Sequence, residues 1–500
     1  MKKGWIFLGL VILISLVVDG LIYFYPGLWN HNSEYEWRVL WHGRKEIWGW
    51  VFLLWVLVIG LALVLWFLVK KRLNGSGLAF FEAGLLFILG ILSPVVFSQI
   101  NRYGGYELLI RVLVQDHTGY WTDAQRFKSR EELALAYLKS WKTLSTHSRT
   151  HPPGNILFFM GLNRIGENSE VVQGVYKFLV KQEAREELGR YFWADIGEQA
   201  GGLVGAVMMI FCGGLAVILG YFLLRRFYSA EICFISGLIL VSMPSFSHKA
   251  PIMDQFFAVV ILGASVLAVG GYIGAKLRIF FRGILAGVII GIGLWFSPGV
   301  WVSVLLVPLL IYAKGGKNRL ESRSEFFRSM VYLGSGSIIG ILGILLLGSV
   351  FFKVNYLDIF SVNREGFYFN NFISGRVRVW KWILFNPYEL LLWCSVPIGI
   401  GILVKIGLEF KRVFGGGIFN SGLDKFFIVL IIILLIINLS GQLCYESPRL
   451  LWFILPLIAG VGLSGLSLAL QNLHSWWRFI FLFIIISVIS FQCALFHLIY

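Results

Sequence analysis

The chain has 500 residues, of which 58% are hydrophobic and only 14% are charged. A typical soluble protein carries about 25% charged residues, so this chain has too little charge to cover a water-exposed surface. Lys and Arg number 43 against 27 Asp and Glu, which gives a net charge of +16. These basic residues lie mainly in short loops between apolar runs, where the positive-inside rule of membrane proteins explains them without nucleic acid. The composition therefore excludes an ordinary soluble domain and predicts an integral membrane protein with no nucleic-acid partner.

Thirteen apolar segments are predicted to cross the bilayer as α-helices, since roughly 20 apolar residues span its hydrocarbon core. In chain order they are residues 5–25, 48–69, 78–98, 201–224, 229–247, 255–274, 283–297, 299–313, 329–352, 382–406, 426–440, 449–470 and 479–499. The first has no small-residue cleavage site after it, so we expect an uncleaved helix. The fold class is therefore an all-α polytopic membrane protein with about 13 transmembrane helices.

The basic clusters indicate the orientation of these helices. All of them fall on one face if residues 99–200 make no net crossing; the clusters are Lys2-Lys3, Lys70 to Arg72, Arg225-Arg226, Lys276 to Arg282, Lys314 to Arg319, Lys411-Arg412 and Arg478. The positive-inside rule then predicts a plasma (inner) membrane protein with a cytoplasmic N-terminus and an external C-terminus. Four polar segments, 26–47, 99–200, 248–254 and 353–381, and a fifth, short one, Ser440 to Pro448, are predicted to be external.

The external segment 99–200 is far too long for a simple connector, and loops of that length usually carry function. Apolar residues recur at helical spacing in Glu131 to Lys142 and in Val171 to Leu188, which predicts helices lying on the membrane surface. Asn155 to Leu162 is apolar but too short to span. Because it follows Pro152-Pro153, we expect a half-inserted helix that begins at these prolines.

The first chemically dense cluster lies in this loop. Asp116 and Asp123 are seven residues apart, with Tyr120 between them, so a helix would place both carboxylates on one face. A carboxylate near the hydrocarbon boundary suits a general base, because desolvation raises its proton affinity. The structural alternative is an interfacial loop with aromatic anchors and solvated acids.

The remaining clusters combine cations with helix starts. Arg149 and His151 precede Pro152-Pro153, where backbone amides of the next helix favour an anion such as phosphate. The alternative is a helix start with solvated basic side chains. The other candidates lie at the outer ends of predicted spans: His248, Lys249 and Asp254; Glu446 and Arg449; and Arg376 and Arg378 in the basic segment 353–381. Asp254 could equally be a helix N-cap and Glu446–Arg449 a structural ion pair, whereas the basic segment suits lipid headgroups or an anionic substrate.

The order of these motifs resembles the GT-C class of membrane glycosyltransferases, nearest to the protein mannosyltransferase and aminoarabinose transferase group. Asp123-Ala124-Gln125-Arg126-Phe127 resembles that class's first-loop acidic motif, and Thr150-His151-Pro152-Pro153-Gly154 resembles its His/Lys-Pro-Pro motif. Asp254 resembles its second-loop acid. The chain departs from the pattern at Ala124, where a second acid is usual, and at Gly154, where a large apolar residue is usual.

The resemblance implies a GT-C-like core over residues 78–320, with a two-helix addition at 1–77 and further transmembrane helices at 321–500. It implies inverting transfer of a sugar from a polyprenyl-phosphate carrier to a lipid, glycan or protein acceptor outside the cytoplasm. In that scheme Asp123, or its rival Asp116, is the base and Asp254 orients the reactants or holds a divalent cation, the one optional cofactor. Arg149, His151 and Lys249 would stabilise the leaving phosphate. The alternatives are a lipid-linked glycan transporter or flippase, an oligosaccharide ligase or polymerase, and a structural scaffold.

Overall fold

In a computed structural model the chain is helical, and no strand occurs among the residues that the structure describes. These are residues 2–24, 44–114, 119–248, 250–271, 275–315, 323–369, 379–414, 424–440, 451–469 and 474–499. The helices are α1 (Lys2–Phe24), α2 (Trp48–Lys70), α3 (Gly75–Ser98), α4 (Glu107–Leu113), α5 (Tyr120–Ala124), α6 (Arg130–Lys139), α7 (Gly154–Asn168), α8 (Glu170–Leu179), α9 (Gln182–Phe192), α10 (Ile196–Leu224), α11 (Ala230–Ser242), α12 (Pro244–Ser247), α13 (Asp254–Gly271), α14 (Lys276–Leu294), α15 (Val302–Gly315), α16 (Arg323–Phe352), α17 (Tyr356–Tyr368), α18 (Val379–Trp393), α19 (Val396–Phe414), α20 (Lys425–Leu439), α21 (Leu455–Ala469) and α22 (Ser475–Ile499).

Six of these helices are long and apolar enough to cross a membrane: α2, α3, α10, α14, α16 and α22. A seventh span results if the bent pair α18 and α19 counts as one. Shorter apolar stretches, of 10–17 described residues, lie in α1 (Trp5–Leu21), α11, α13, α15, α20 and α21. The chain is thus confirmed as all-helical with several candidate spans, as a multi-pass membrane protein requires, whereas the predicted count of about 13 is not confirmed.

Helix breaks explain why fewer spans are found. The predicted span 229–247 contains the 13-residue α11, which ends at Ser242 because Met243 is extended and Pro244 begins a new turn. The predicted span 382–406 contains α18 and α19, which meet at a bend of 118°. Ser395, between them, has a left-handed backbone with φ of 83°. Hydropathy detects the apolar composition of such segments but not the residues that interrupt the helix.

The chain divides into two compact units. The first comprises Met1–Gly105, Gly213–Ala250 and Arg378–Tyr500. Its helices α19 and α21 pack with their backbones in contact, since a Cβ on Gly465 would lie 2.0 Å from the carbonyl oxygen of Gly401. Small residues at helix interfaces permit this close approach in membrane proteins.

A buried carboxylate also links helices of the first unit. The Glu82 side chain on α3 is fully buried and accepts a 2.7 Å hydrogen bond from the indole of Trp66 on α2. Its other oxygen accepts from the hydroxyl of Tyr221 on α10 and lies 3.4 Å from the guanidinium of Arg225, which directly follows α10. Because these donors satisfy the carboxylate, it contributes to packing rather than to an open site.

The second unit comprises Tyr106–Cys212 and Pro251–Val377. Its largest helix contact joins α14 and α16, where a Cβ on Gly287 would lie 2.1 Å from the carbonyl oxygen of Ser337. The loop helices α4 to α9 belong to this unit, as does α17 from the polar segment 353–381. The predicted surface helices correspond to α6 and to α8 with α9. The predicted half-inserted helix is α7, whose 15 residues extend about 22 Å and so fall short of the hydrocarbon core.

Candidate active site

Asp123 lies on the short helix α5, which starts after Gly119 in a left-handed conformation with φ of 70°. The side chain is buried, with 1% of its surface exposed. One carboxylate oxygen accepts from the Arg126 guanidinium at 3.0 Å, and the other accepts from the backbone N–H of Ser145 at 2.9 Å. A carboxylate offers about four lone-pair positions, so these two bonds leave acceptor capacity for a substrate hydroxyl. Asp123 therefore fixes the turn that leads to His151, and any role as a base requires access past Arg126.

His151 is held by its ring and by its backbone. Its Nδ1 lies 3.1 Å from the carbonyl oxygen of His147. Because a carbonyl only accepts, we assign the proton to Nδ1, which leaves Nε2 as the atom that exchanges a second proton. The ring meets the Tyr120 ring edge-on, with centroids 5.8 Å apart, and stacks on the Phe257 ring at 6.1 Å. The imidazole thus lies between the Tyr120 ring of the long loop and the Phe257 ring of α13, and these three rings are here called the clamp.

The clamp relates the two acids predicted for the site. Asp123 follows Tyr120 by three residues on α5, and Phe257 follows Asp254 by three on α13. Three residues are about one helical turn, so each acid lies one turn from a ring that contacts His151. Asp254 is the first residue of α13 and is half-buried. The second unit therefore brings together the helix starts that carry Asp123 and Asp254, against the His-Pro-Pro segment.

Helix α17 also contacts this segment. The buried Tyr137 hydroxyl donates to the carbonyl oxygen of His151 at 2.6 Å and also bonds the Asn363 side chain on α17. Burial raises the Tyr137 pKa well above its ordinary value, so the phenol stays protonated. The Arg149 guanidinium lies 5.5 Å from the ring centre of Phe369, a cation–π contact. Arg149 and His151 are both half-buried, which suits cations that contact an anion.

Close packing explains why residue 154 is glycine, where the GT-C pattern usually has a large apolar residue. The Gly154 N–H donates to the carbonyl oxygen of Trp295 at 3.1 Å, and the Asn155 amide donates to that of Phe296 at 2.8 Å. A Cβ on residue 154 would lie 2.2 Å from the Trp295 oxygen, so no larger residue fits there. The N-terminal turn of α7 is therefore anchored directly on the backbone that follows α14.

Sequence reasoning missed several residues that build the site. Phe257, Tyr137, Asn363 and Phe369 contact the predicted residues, yet each resembles an ordinary core or loop residue in the sequence. The only local sign of a role in the site was their position at helix starts or in segments predicted to be external. Their partners lie far away in the chain, so no local pattern identifies them.

His248 belongs to the first unit, and its described contacts are aromatic. Its ring lies 4.7 Å from the His497 ring and 5.5 Å from Trp393. His497 in turn bonds the Asn101 amide oxygen through Nδ1 and the Ser247 hydroxyl through Nε2, both at 3.1 Å. These groups are almost fully buried, which indicates a hydrogen-bonded network that joins α3, α12 and α22. A substrate contact for His248 stays a prediction.

The other predicted site residues lie outside the described residues; they are Asp116, Lys249, Arg376, Arg378, Glu446 and Arg449. Within the described part of the chain, no group of three or more His, Cys, Asp or Glu side chains could hold a metal ion.

Comparison with known proteins adds no relative: no protein-family model, no curated protein and no solved structure matches this chain. The likeness to the GT-C class rests on the order of motifs in the sequence.

Proposed function

We propose that this protein is an inverting membrane glycosyltransferase, which moves a sugar from a polyprenyl-phosphate donor to a lipid, glycan or protein acceptor on the non-cytoplasmic face. The observation that supports this proposal is the clamp of Tyr120, His151 and Phe257. It gathers two acids and a basic segment at neighbouring helix starts. A general base and an anion site are the two elements that transfer from a phosphate carrier requires.

In the proposed reaction the acceptor oxygen attacks the anomeric carbon as the bond between that carbon and the phosphate oxygen breaks. The acceptor proton passes to a carboxylate, and the leaving polyprenyl phosphate keeps the bonding electron pair. Arg149 and His151 stabilise the negative charge that develops on this phosphate. Because both are half-buried, water screens their charges less than it would on an open surface.

Asp123 is the proposed base, with Asp116 as its rival, and Asp254 orients the acceptor. The Arg126 side chain that covers Asp123 is 44% exposed, so it has room to swing outward and admit an acceptor hydroxyl. The same contacts also give Asp123 a structural role, through Arg126 and Ser145. A test of the base must therefore separate loss of chemistry from loss of this structure.

The variants Asp123→Asn and Arg126→Ala make that separation. Both break the Asp123–Arg126 ion pair, but only the first removes the carboxylate. With a synthetic polyprenyl-phosphate sugar, Asp123→Asn should lower kcat about 100-fold or more, the usual contribution of a general base. Arg126→Ala should retain most of kcat at a similar melting temperature. If both variants lose activity in proportion to their loss of stability, Asp123 is structural and the assignment as base is wrong.

The same assay separates the alternative functions. A flippase would move the donor between leaflets without cleaving it, and a ligase or polymerase would transfer a block of sugars in one turnover. Release of one polyprenyl phosphate per single sugar added supports the proposal. Uptake of intact donor into vesicles without release of polyprenyl phosphate would contradict it.

A further inference from the structure

Large apolar side chains are exposed on α8, α9 and the short segment before α10. They are Val171, Val175, Phe178, Leu179, Tyr191 and Trp193, here called the α8–α9 face. Phe178 is 88% exposed and Trp193 is 92% exposed. Burial of large apolar side chains is the main driving force of folding, so six exposed together indicate a partner that covers them.

The spacing of the apolar residues along α8 places them on one side of the helix. With 3.6 residues per turn, Val171, Val175, Phe178 and Leu179 fall within about 100° of one another around the α8 axis. Lys177 and Glu170 fall on a separate, polar side. The helix thus has the apolar and charged faces of an interfacial amphipathic helix.

A third side of α8 fixes its orientation. Tyr176 is fully buried, and its hydroxyl bonds the Gln199 side chain on α10. The Gln173 amide donates to the carbonyl oxygens of Gly166 and Glu167 at 2.9 and 3.0 Å. These bonds hold α8 against α7 and α10, so the α8–α9 face points away from the rest of the second unit.

The face continues into the exposed surface of a candidate membrane span. Trp193 directly follows the last residue of α9, and α10 begins three residues later at Ile196, which is 39% exposed. Ile196 lies on the same side of α10 as Val207 and Phe211, within about 60° around its axis. Val207 and Phe211 are also exposed, and in a membrane-spanning helix such side chains contact lipid acyl chains. Exposed apolar side chains therefore follow one another along the chain from α8 through α9 to the side of a candidate span.

From this continuity we infer that the α8–α9 face binds phospholipid, inserting its apolar side chains at the boundary between headgroups and acyl chains of the membrane that α10 crosses. Tyr191 and Trp193 have the amphipathic rings that favour this depth. This contact between the α8–α9 face and lipid does not depend on the proposed glycosyltransferase activity.

Photo-crosslinking of the full-length protein in nanodiscs of phosphatidylcholine and phosphatidylglycerol tests this inference. p-Benzoylphenylalanine is placed at Phe178, on the face, or at its neighbour Lys177, on the polar side of the same helix. Both side chains are exposed, so neither variant should disturb folding, and equal melting temperatures check this. After illumination, the position 178 variant should carry at least about five times more lipid adduct than the position 177 variant, because only its side chain enters the bilayer.

Two outcomes would overturn the inference. Equal lipid adducts at positions 177 and 178 would mean that α8 does not lie on the membrane with this face. Crosslinked dimers at position 178 in place of lipid adducts would mean that a second copy of the chain covers the face. A second pair, Val171 on the face and Glu170 on the polar side, repeats the comparison at the start of α8, where both residues are exposed.

Discussion

Gly154 anchors the His-Pro-Pro segment, so its replacement by alanine should damage both stability and activity. The added Cβ would lie 2.2 Å from the Trp295 carbonyl oxygen and 2.9 Å from the Trp295 carbonyl carbon. Contacts of Cβ below 3.0 Å essentially never occur, so the two backbones must separate by about 1 Å. Neither group is a flexible side chain that could rotate away.

The magnitude follows from two terms. Overpacking of a tight contact costs about 1–3 kcal/mol, and loss of the Gly154–Trp295 hydrogen bond adds about 0.5–1.5 kcal/mol. Together they predict a loss of roughly 2–4 kcal/mol, which lowers the apparent melting temperature by roughly 5–10 °C. Because His151 lies three residues before the contact, a shift of about 1 Å should also lower sugar transfer roughly 100-fold.

Gly161→Ala is the matched control, since it makes the same substitution on the same helix. A Cβ on Gly161 meets nothing within 4 Å, so this variant should be as stable as the parent or up to about 1 kcal/mol more stable, because alanine favours helices. Melting is measured in detergent at a fixed scan rate, and activity at a temperature where all variants stay folded. If Gly154→Ala melts at the same temperature as Gly161→Ala, α7 shifts without cost and the reasoning about its anchor is refuted.

Two further predictions concern buried polar groups. Tyr137→Phe should destabilise the protein by about 1–3 kcal/mol, because the His151 carbonyl loses its buried hydroxyl donor and the Asn363 side chain loses its hydrogen-bond partner; thermal melting checks this, and an unchanged melting temperature would contradict it. Glu82→Gln should cost about 1.5–3 kcal/mol because it removes the charge from a fully buried carboxylate whose ion-pair partner, Arg225, is 30% exposed, whereas Glu231→Gln, in an exposed pair, should cost at most about 1 kcal/mol. Similar losses in melting temperature for both Glu variants would show that burial does not decide the effect.

Local sequence patterns predicted much of the helical structure. The apolar periodicity predicted α6, α8 and α9, and Pro152-Pro153 predicted the start of α7. These elements depend on interactions between residues within about a turn of each other, which a sequence displays directly. The number of membrane crossings was harder to predict from the sequence. Breaks such as Met243-Pro244 and the left-handed Ser395 interrupt helices within apolar runs that have no break in their hydropathy.

The candidate site was predictable only in part, for a related reason. Acids, histidines and prolines carry recognisable chemistry, so Asp123, His151 and Asp254 were identified from the sequence. Tyr137 and Asn363 were not, because their hydrogen bond joins residues 226 positions apart. The requirement for glycine at position 154 likewise arises from Trp295 and is visible only when the two segments are packed together.

The clamp around His151 also sets when the site can form during synthesis of the chain. Tyr120 and His151 are made early, but Phe257 lies on a later helix, after α10 and α11 have been inserted. From Tyr120 to Phe257 the ribosome adds roughly 140 residues, which takes roughly 7 to 28 s at ordinary elongation rates. During that interval the long loop carries Asp123 and His151 without the Phe257 ring. A nascent chain arrested before α13 should therefore contain an incomplete site.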